Sequence, residues 1–103
     1  MAGFKKLGSL SDIAICGSRA YQVEDRSVLV CHTSKGVFAV ENACSHMVSN
    51  LEGGKIRQCY ISCPLHGQKF DLRDGQPYGE IRVDKPLRTF PVKVENGDVY
   101  VRC

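Results

Sequence analysis

The sequence has no long apolar run and no concentration of charge of one sign. Its longest aliphatic stretch, Val28-Leu29-Val30-Cys31, is far shorter than the roughly 20 apolar residues of a membrane helix, so we expect no membrane span. Residues 1–12 lack the apolar core and cleavage pattern of a signal peptide, which predicts a cytoplasmic protein. The formal net charge is +3, with basic residues scattered among acidic ones. Nucleic-acid binding therefore gains little support.

Neither a linker nor an internal repeat divides the chain. Its 103 residues are 43% hydrophobic and 24% charged, values typical of a folded soluble domain. This length allows one hydrophobic core but not two. We therefore predict a single domain, residues 1–103.

Helical periodicity over ten or more residues is also missing, and the pattern favours short strands. Apolar segments rich in Val, Tyr and Phe alternate with turn residues, at Arg19–Glu24, Val28–His32 and Val37–Val40. Ser34-Lys35-Gly36 predicts a hairpin turn in which Gly36 takes a positive φ.

A second hairpin is predicted at the end of the sequence. Thr89–Glu95 and Asp98–Arg102 alternate polar and apolar residues around Asn96-Gly97, the dipeptide that best suits a type I′ turn. The fold class is all-β, and periodicity leaves open an antiparallel β sandwich or a partly closed barrel.

Glycines and prolines interrupt the middle of the chain. Strand-like pieces at Lys55–Ile61 and Lys69–Leu72 lie between them. This pattern predicts a small, loop-rich lobe, about residues 42–84, inserted in the β scaffold.

Six cysteines fit three disulfides only in a secreted protein, so metal binding becomes the better explanation. The lobe holds two motifs, Cys44-Ser45-His46 and Cys63-Pro64-Leu65-His66. Two thiolates and two imidazoles suit either zinc or iron–sulfur. Zinc fingers usually take both cysteines from one turn, whereas each motif here pairs one cysteine with one histidine. A cluster of two irons explains the mixture, because one iron can take both cysteines and the other both histidines.

These motifs resemble the signature of Rieske proteins, C-x-H followed by C-P-x-H-G, and Phe70-Asp71 with Gly75 extends the match. The resemblance implies one Rieske-type 2Fe-2S cluster. It assigns Cys44 and Cys63 to the inner iron and His46 and His66 to the outer, exposed iron.

The loops differ from those of Rieske proteins in quinol-oxidising complexes. Such proteins add a disulfide and two hydroxyl donors to the cluster sulfurs, and here the corresponding positions hold Ser49, Leu65, Gln68 and Phe70. Fewer donors lower the potential, which we expect to be about −150 mV.

Short Rieske proteins of this kind resemble the ferredoxin components of bacterial ring-hydroxylating dioxygenase systems, which act in aromatic hydrocarbon catabolism. The resemblance implies a monomeric electron carrier without catalytic residues. Its transient partners would be a flavin-dependent reductase and a terminal oxygenase. Met47 departs from this group, which commonly has glycine there.

Two other functions remain open: a small Rieske-like subunit of an assimilatory nitrite reductase, and a zinc-stapled structural module. His32 has no partner motif, and we expect an ordinary strand histidine. The remaining cysteines are predicted to be packing residues or free thiols, namely Cys16, Cys31, Cys59 and Cys103. Four cations near the loops suit either an acidic partner or a solvated rim: Lys55, Arg57, Lys69 and Arg73.

Overall fold

The computed structural model describes residues 3–42, 53–63, 69–78 and 87–102, which form three antiparallel sheets and a short 3-10 helix at Leu10–Asp12. Sheet A contains, in spatial order, β1 (Phe4–Ser9), β11 (Asp98–Arg102) and β10 (Val92–Glu95). Sheet B contains β2 (Gly17–Val23), β3 (Arg26–Thr33), β4 (Gly36–Glu41) and β9 (Thr89–Phe90). Sheet C contains β5 (Lys55–Arg57), β6 (Tyr60–Ser62), β7 (Lys69–Asp71) and β8 (Pro77–Tyr78). The all-β prediction is confirmed.

Within the described ranges, no helix is long and apolar enough to cross a membrane.

Sheet B lies between the other two sheets. Val28 and Val30 of β3 pack in a core shared with Val99 and Val101 of sheet A. The alternate β3 residues, Leu29 and Cys31, pack in a second core with side chains of sheet C. All four residues from 28 to 31 are fully buried, which explains why this strand is continuously apolar rather than alternating.

Burial of this central strand is a large part of the stability of the fold. Each fully buried Val or Leu side chain contributes roughly 1.5–3 kcal/mol. Cys31 takes part as a small apolar residue, as predicted, and burial raises the pKa of its thiol to about 12. It therefore stays protonated in the core at neutral pH.

The two predicted hairpin turns form. Thr33 pairs with Gly36, and Gly36 has a φ of +138°. Asn96 and Gly97 have φ values of 53° and 79°, the two positive angles that a type I′ turn requires.

The prediction of one continuous strand from Thr89 to Glu95 is wrong. Thr89–Phe90 pairs with β4 in sheet B, whereas Val92–Glu95 pairs with β11 in sheet A. Pro91 lies between them and has no N–H for a ladder hydrogen bond. Its carbonyl accepts from the Arg102 N–H at 3.0 Å, so the chain passes from one sheet to the other at this residue.

The strand-like piece predicted at Lys55–Ile61 is instead a tight hairpin. Arg57 pairs with Tyr60, and the turn residues Gln58 and Cys59 lie between β5 and β6. Gln58 has a φ of 52°, a conformation more usual for Gly or Asn. Because glutamine is not a typical turn residue, the sequence does not predict a turn here.

Candidate metal centre

The strand register of sheet C joins both motif-bearing segments to the same end of the sheet. Lys55 pairs with Ser62, and Ser62 pairs with Lys69. Residues 43–52 lead through two glycines into Lys55, Cys63 follows Ser62, and residues 64–68 lead into Lys69. Three neighbouring strands thus place the ends of these two segments side by side, although the motifs are far apart in sequence.

Cys63 is the one predicted ligand among the described residues. Its side chain is 2% exposed and packs in the core cluster that contains Ile61 and Phe70. The other three predicted ligands lie outside the described residues, namely Cys44, His46 and His66. So do Met47, Ser49, Leu65, Gln68 and Cys103. In the part of the chain that the structure describes, no group of three His, Cys, Asp or Glu residues could hold a metal.

These features fit a two-iron cluster with mixed ligands. A cysteine buried among apolar side chains suits the inner position of such a cluster, and the register places the described residues that flank the two motif-bearing segments side by side. Phe70 is fully buried in the same core and carries no hydroxyl.

Asn42, the last described residue before the first motif, is anchored to β3. Its N–H donates to the Ser27 carbonyl at 3.0 Å, and its Nδ2 donates to Ser27 Oγ at 3.1 Å. Asn42 is 6% exposed, so these bonds offset the cost of burying an amide. Sequence reasoning gave Asn42 no role, because its partner lies on another strand.

Gly75 fixes the far side of sheet C by a close backbone contact. Its φ is +79°, its N–H donates to the Asp71 carbonyl at 2.6 Å, and its carbonyl accepts from the Leu87 N–H at 2.7 Å. A Cβ atom at this position would overlap the Leu87 carbonyl. Only glycine, which has no side chain, therefore fits at this position of the motif without moving the Leu87 backbone.

Asp71 and Arg73 form a two-point ion pair beside this turn. Asp71 Oδ2 accepts from Arg73 Nη2 at 2.7 Å, and Oδ1 accepts from Arg73 Nε at 3.0 Å and from its backbone N–H at 2.9 Å. The Arg73 side-chain hydrogen bonds hold the pKa of Asp71 below its usual 3.8, and burial opposes them. Asp71 in turn raises the pKa of Arg73. The charge of Arg73 is neutralised locally, whereas Lys55 and Arg57 form no ion pair with the residues that the structure describes.

We expect Asp71→Asn to lower the melting temperature by roughly 2–4 °C at neutral pH, because the ion pair is partly solvated. The lowered pKa means that Asp71 stabilises the fold fully above pH 3.8, and that this contribution disappears as the pH falls through its lower folded value. Melting curves against pH measure the difference. Asp74→Asn is the matched control, since Asp74 Oδ1 accepts a similar bond from the Gln76 N–H without an arginine partner. Equal losses in both variants would contradict the assignment.

The residues that the sequence left without a role behave as predicted where the structure describes them. His32 Nδ1 lies 2.9 Å from the Ile13 carbonyl, which satisfies an ordinary strand histidine. Cys16 is exposed, and Cys31 and Cys59 are buried. Cys59 occupies the turn between β5 and β6, where its carbonyl accepts from the Leu72 N–H at 2.7 Å.

Comparisons with known proteins support the resemblance to Rieske proteins. Residues 3–102 match the Rieske-like 2Fe-2S domain family. The ferredoxin component of biphenyl 2,3-dioxygenase from Rhodococcus jostii is 33% identical over 96 residues, covering 93% of this chain and 89% of that protein. The ferredoxin of carbazole 1,9a-dioxygenase from Nocardioides aromaticivorans superposes with a TM-score of 0.89 at 28% identity, covering 98% of both chains.

Two further structures bear on partners and alternatives. The ferredoxin in a complex of reduced oxygenase and oxidised ferredoxin of carbazole 1,9a-dioxygenase gives a TM-score of 0.86 at 28% identity, covering 99% of this chain and 94% of that one. A protein described as a small subunit of an NADPH nitrite reductase gives 0.86 at 22% identity, covering 97% and 98%. The second likeness shows the fold alone.

The biphenyl and carbazole dioxygenase relatives above are ferredoxins, and the ferredoxin component of a naphthalene 1,2-dioxygenase system is also similar, which agrees with the predicted carrier role. The predictions of a Rieske-type 2Fe-2S cofactor and of electron transfer are confirmed by the family match and these relatives. The chain therefore belongs to the Rieske-like 2Fe-2S domain family and is an electron carrier.

Proposed function

We propose that this chain is the ferredoxin component of a ring-hydroxylating dioxygenase system. It carries one electron at a time from a flavin-dependent reductase to a terminal oxygenase. The observation that carries the proposal is 33% identity to a dioxygenase ferredoxin along 93% of the chain. An oxygenase is the partner in the solved complex of a similar ferredoxin.

We propose Cys44, His46, Cys63 and His66 as the four ligands of the cluster. Cys44 and Cys63 would hold the inner iron, and His46 and His66 the outer iron. The nearly complete burial of Cys63 supports its inner position. When bound, the cluster takes up and releases one electron, and two neutral imidazoles in place of two thiolates make its reduction easier. The absence of a hydroxyl on Phe70 favours a potential near −150 mV, toward the low end of the Rieske range.

The proposed domain is a single unit, residues 1–103, with the cluster-binding lobe at about 42–84. Sheet C lies within that interval and shares its core with Leu29, Cys31 and Val40 of sheet B. This shared core supports a lobe that is packed on the scaffold rather than an independent domain. We further propose that the protein acts as a cytoplasmic monomer that binds both partners transiently.

A reconstituted electron-relay assay tests this function. Purified reductase and oxygenase candidates are mixed with NADH or NADPH and an aromatic substrate, with and without this protein. We expect product formation to depend on the protein and to saturate as its concentration rises. Turnover that is equally fast without it would contradict the role, as would relay only to a nitrite reductase.

A further inference from the structure

The outward face of sheet C is basic. Along β5, β6 and β7 the middle residues Ile56, Ile61 and Phe70 pair with one another and are buried in the core. Side chains alternate along a strand, so the flanking residues point away from this core. Asp71 also points outward, and its charge is balanced by the exposed Arg73. We call the rest of the outward set the basic face; it comprises Lys55, Arg57, Tyr60, Ser62 and Lys69.

The basic face forms an open pocket of about 220 Å³ that these residues line together with Gln58. Lys55, Arg57 and Lys69 are exposed, and the half-buried Tyr60 lies between Arg57 of β5 and Asp71 of β7. Tyrosine and arginine are enriched at protein interfaces, where the ring supplies contact area, and exposed charges orient the approaching partner.

The charges of Lys55 and Arg57 are not balanced by carboxylates within the described ranges. Neither residue forms an ion pair there. The lysines of sheet A differ, since each has an acidic partner: Lys5 pairs with Glu24 at 2.8 Å, Lys6 with Asp98 at 3.3 Å and Lys93 with Glu95 at 2.9 Å. Among the described residues, sheet C therefore presents two cations that no ion pair balances, whereas the lysines of sheet A are balanced.

The basic face adjoins the end of sheet C from which the motif-bearing segments leave. Lys55 and Lys69 are the first strand residues after residues 43–54 and 64–68, and Ser62 between them directly precedes Cys63. A partner seated on this face would lie at the edge of sheet C where β6 leads into Cys63. Proximity matters because electron transfer requires the two redox centres to approach closely.

We propose that the basic face docks an acidic surface on the terminal oxygenase, the kind of partner that a similar ferredoxin binds in a solved complex. This inference rests on the proposed function and adds the chemistry of the partner. Opposite charges raise the rate of encounter and orient the two proteins, while exposed charges add little to the lifetime of the complex. Fast docking and fast release are what a shuttle between two partners needs.

Charged small oxidants test the field at the site of electron transfer. The dithionite-reduced protein gives one electron to ferricyanide, which becomes ferrocyanide, or to hexaammineruthenium(III), which becomes the ruthenium(II) ion. The double variant Lys55→Glu/Arg57→Glu replaces two positive charges with two negative ones. At low ionic strength we therefore expect its oxidation by anionic ferricyanide to slow about tenfold, and its oxidation by cationic hexaammineruthenium(III) to accelerate. Stopped-flow absorbance of the cluster measures both rates.

The matched control is Lys5→Glu/Lys6→Glu, which changes the net charge equally on sheet A, across sheet B from the basic face. We expect less than about a twofold effect on either rate. Equal effects in both double variants would mean that only net charge matters and would overturn the proposal. Cluster absorbance before mixing verifies that both variants are folded and loaded.

A titration with poly-L-glutamate, followed by ¹⁵N NMR, gives a readout that needs no electron transfer. We expect amide shifts in β5, β6 and β7 that disappear in Lys55→Glu/Arg57→Glu and persist in the sheet A control. Shifts that map to sheet A instead would overturn the docking face. A protein without a reducible cluster would fail the proposed function, whereas a reducible protein that shows no such shifts would fail only this inference.

Discussion

Cys63→Ser is expected to yield a purified protein without a 2Fe-2S cluster, colourless and with less than about a tenth of the wild-type iron and acid-labile sulfide. A serine hydroxyl is a much poorer ligand for iron than a thiolate, and the 2% exposure of Cys63 leaves little room for a solvent ligand to replace it. Visible absorbance together with iron and sulfide analysis measures the loss.

Cys59→Ser is the matched control for this loss. Cys59 lies four residues earlier, is also buried at 8% exposure, and occupies the turn between β5 and β6 rather than the motif. We expect this variant to keep its colour and its iron, since only its packing changes. A protein in which Cys59→Ser loses the cluster and Cys63→Ser retains it would contradict the ligand assignment.

Gly75→Ala is expected to lower the free energy of unfolding by about 3 kcal/mol or more. The new methyl would overlap the Leu87 carbonyl, and moving that backbone would break the hydrogen bond from the Leu87 N–H to the Gly75 carbonyl. Because this contact closes sheet C over the core that contains Cys63, we also expect weaker cluster retention on heating. Urea unfolding and the decay of cluster absorbance with temperature measure the two effects.

Gly53→Ala separates the steric clash from backbone strain. Gly53 has a similar φ of +88°, but a Cβ there would meet no atom of the described residues within 4 Å. We expect a cost of about 1–2 kcal/mol from the positive φ alone. If both substitutions cost the same, the close contact between Gly75 and Leu87 would have no energetic role.

Local patterns in the sequence predicted much of this fold. Asn96-Gly97 requires two positive φ angles and forms the expected turn, and the apolar run Val28–Cys31 forms a strand. Both faces of this strand are buried, so one sheet must pack on each side of it, and the fold has three layers. Which sheets cover the two faces depends on contacts between distant residues, and periodicity does not report those.

The two errors in the strand assignments have physical causes. Pro91 interrupts a convincing alternation, and only the positions of β4 and β11 decide that the chain changes sheets there. Gln58 adopts a positive φ because β5 and β6 pair tightly on both sides of it. Tertiary pairing overrides the weak local preference of this residue.

The proposed ligand set comes from the sequence alone, because the chemistry of a metal site restricts residue type and distance along the chain. Of its four residues the structure describes Cys63, so the set stays a prediction. The sequence did not reveal that Lys55, Ser62 and Lys69, which flank the two segments, lie side by side. Nor did it reveal that Arg73 is neutralised by Asp71 while Lys55 and Arg57 have no such partner among the described residues.

The most direct test of the whole account is a visible and electron paramagnetic resonance spectrum of the purified protein before and after dithionite reduction, with iron and acid-labile sulfide measured on the same sample. We predict a red-brown protein with two irons and two sulfides per chain, which bleaches on one-electron reduction and then shows the signal of a histidine-ligated two-iron cluster. A colourless, zinc-loaded or metal-free protein, produced in cells that assemble iron–sulfur clusters, would contradict the account.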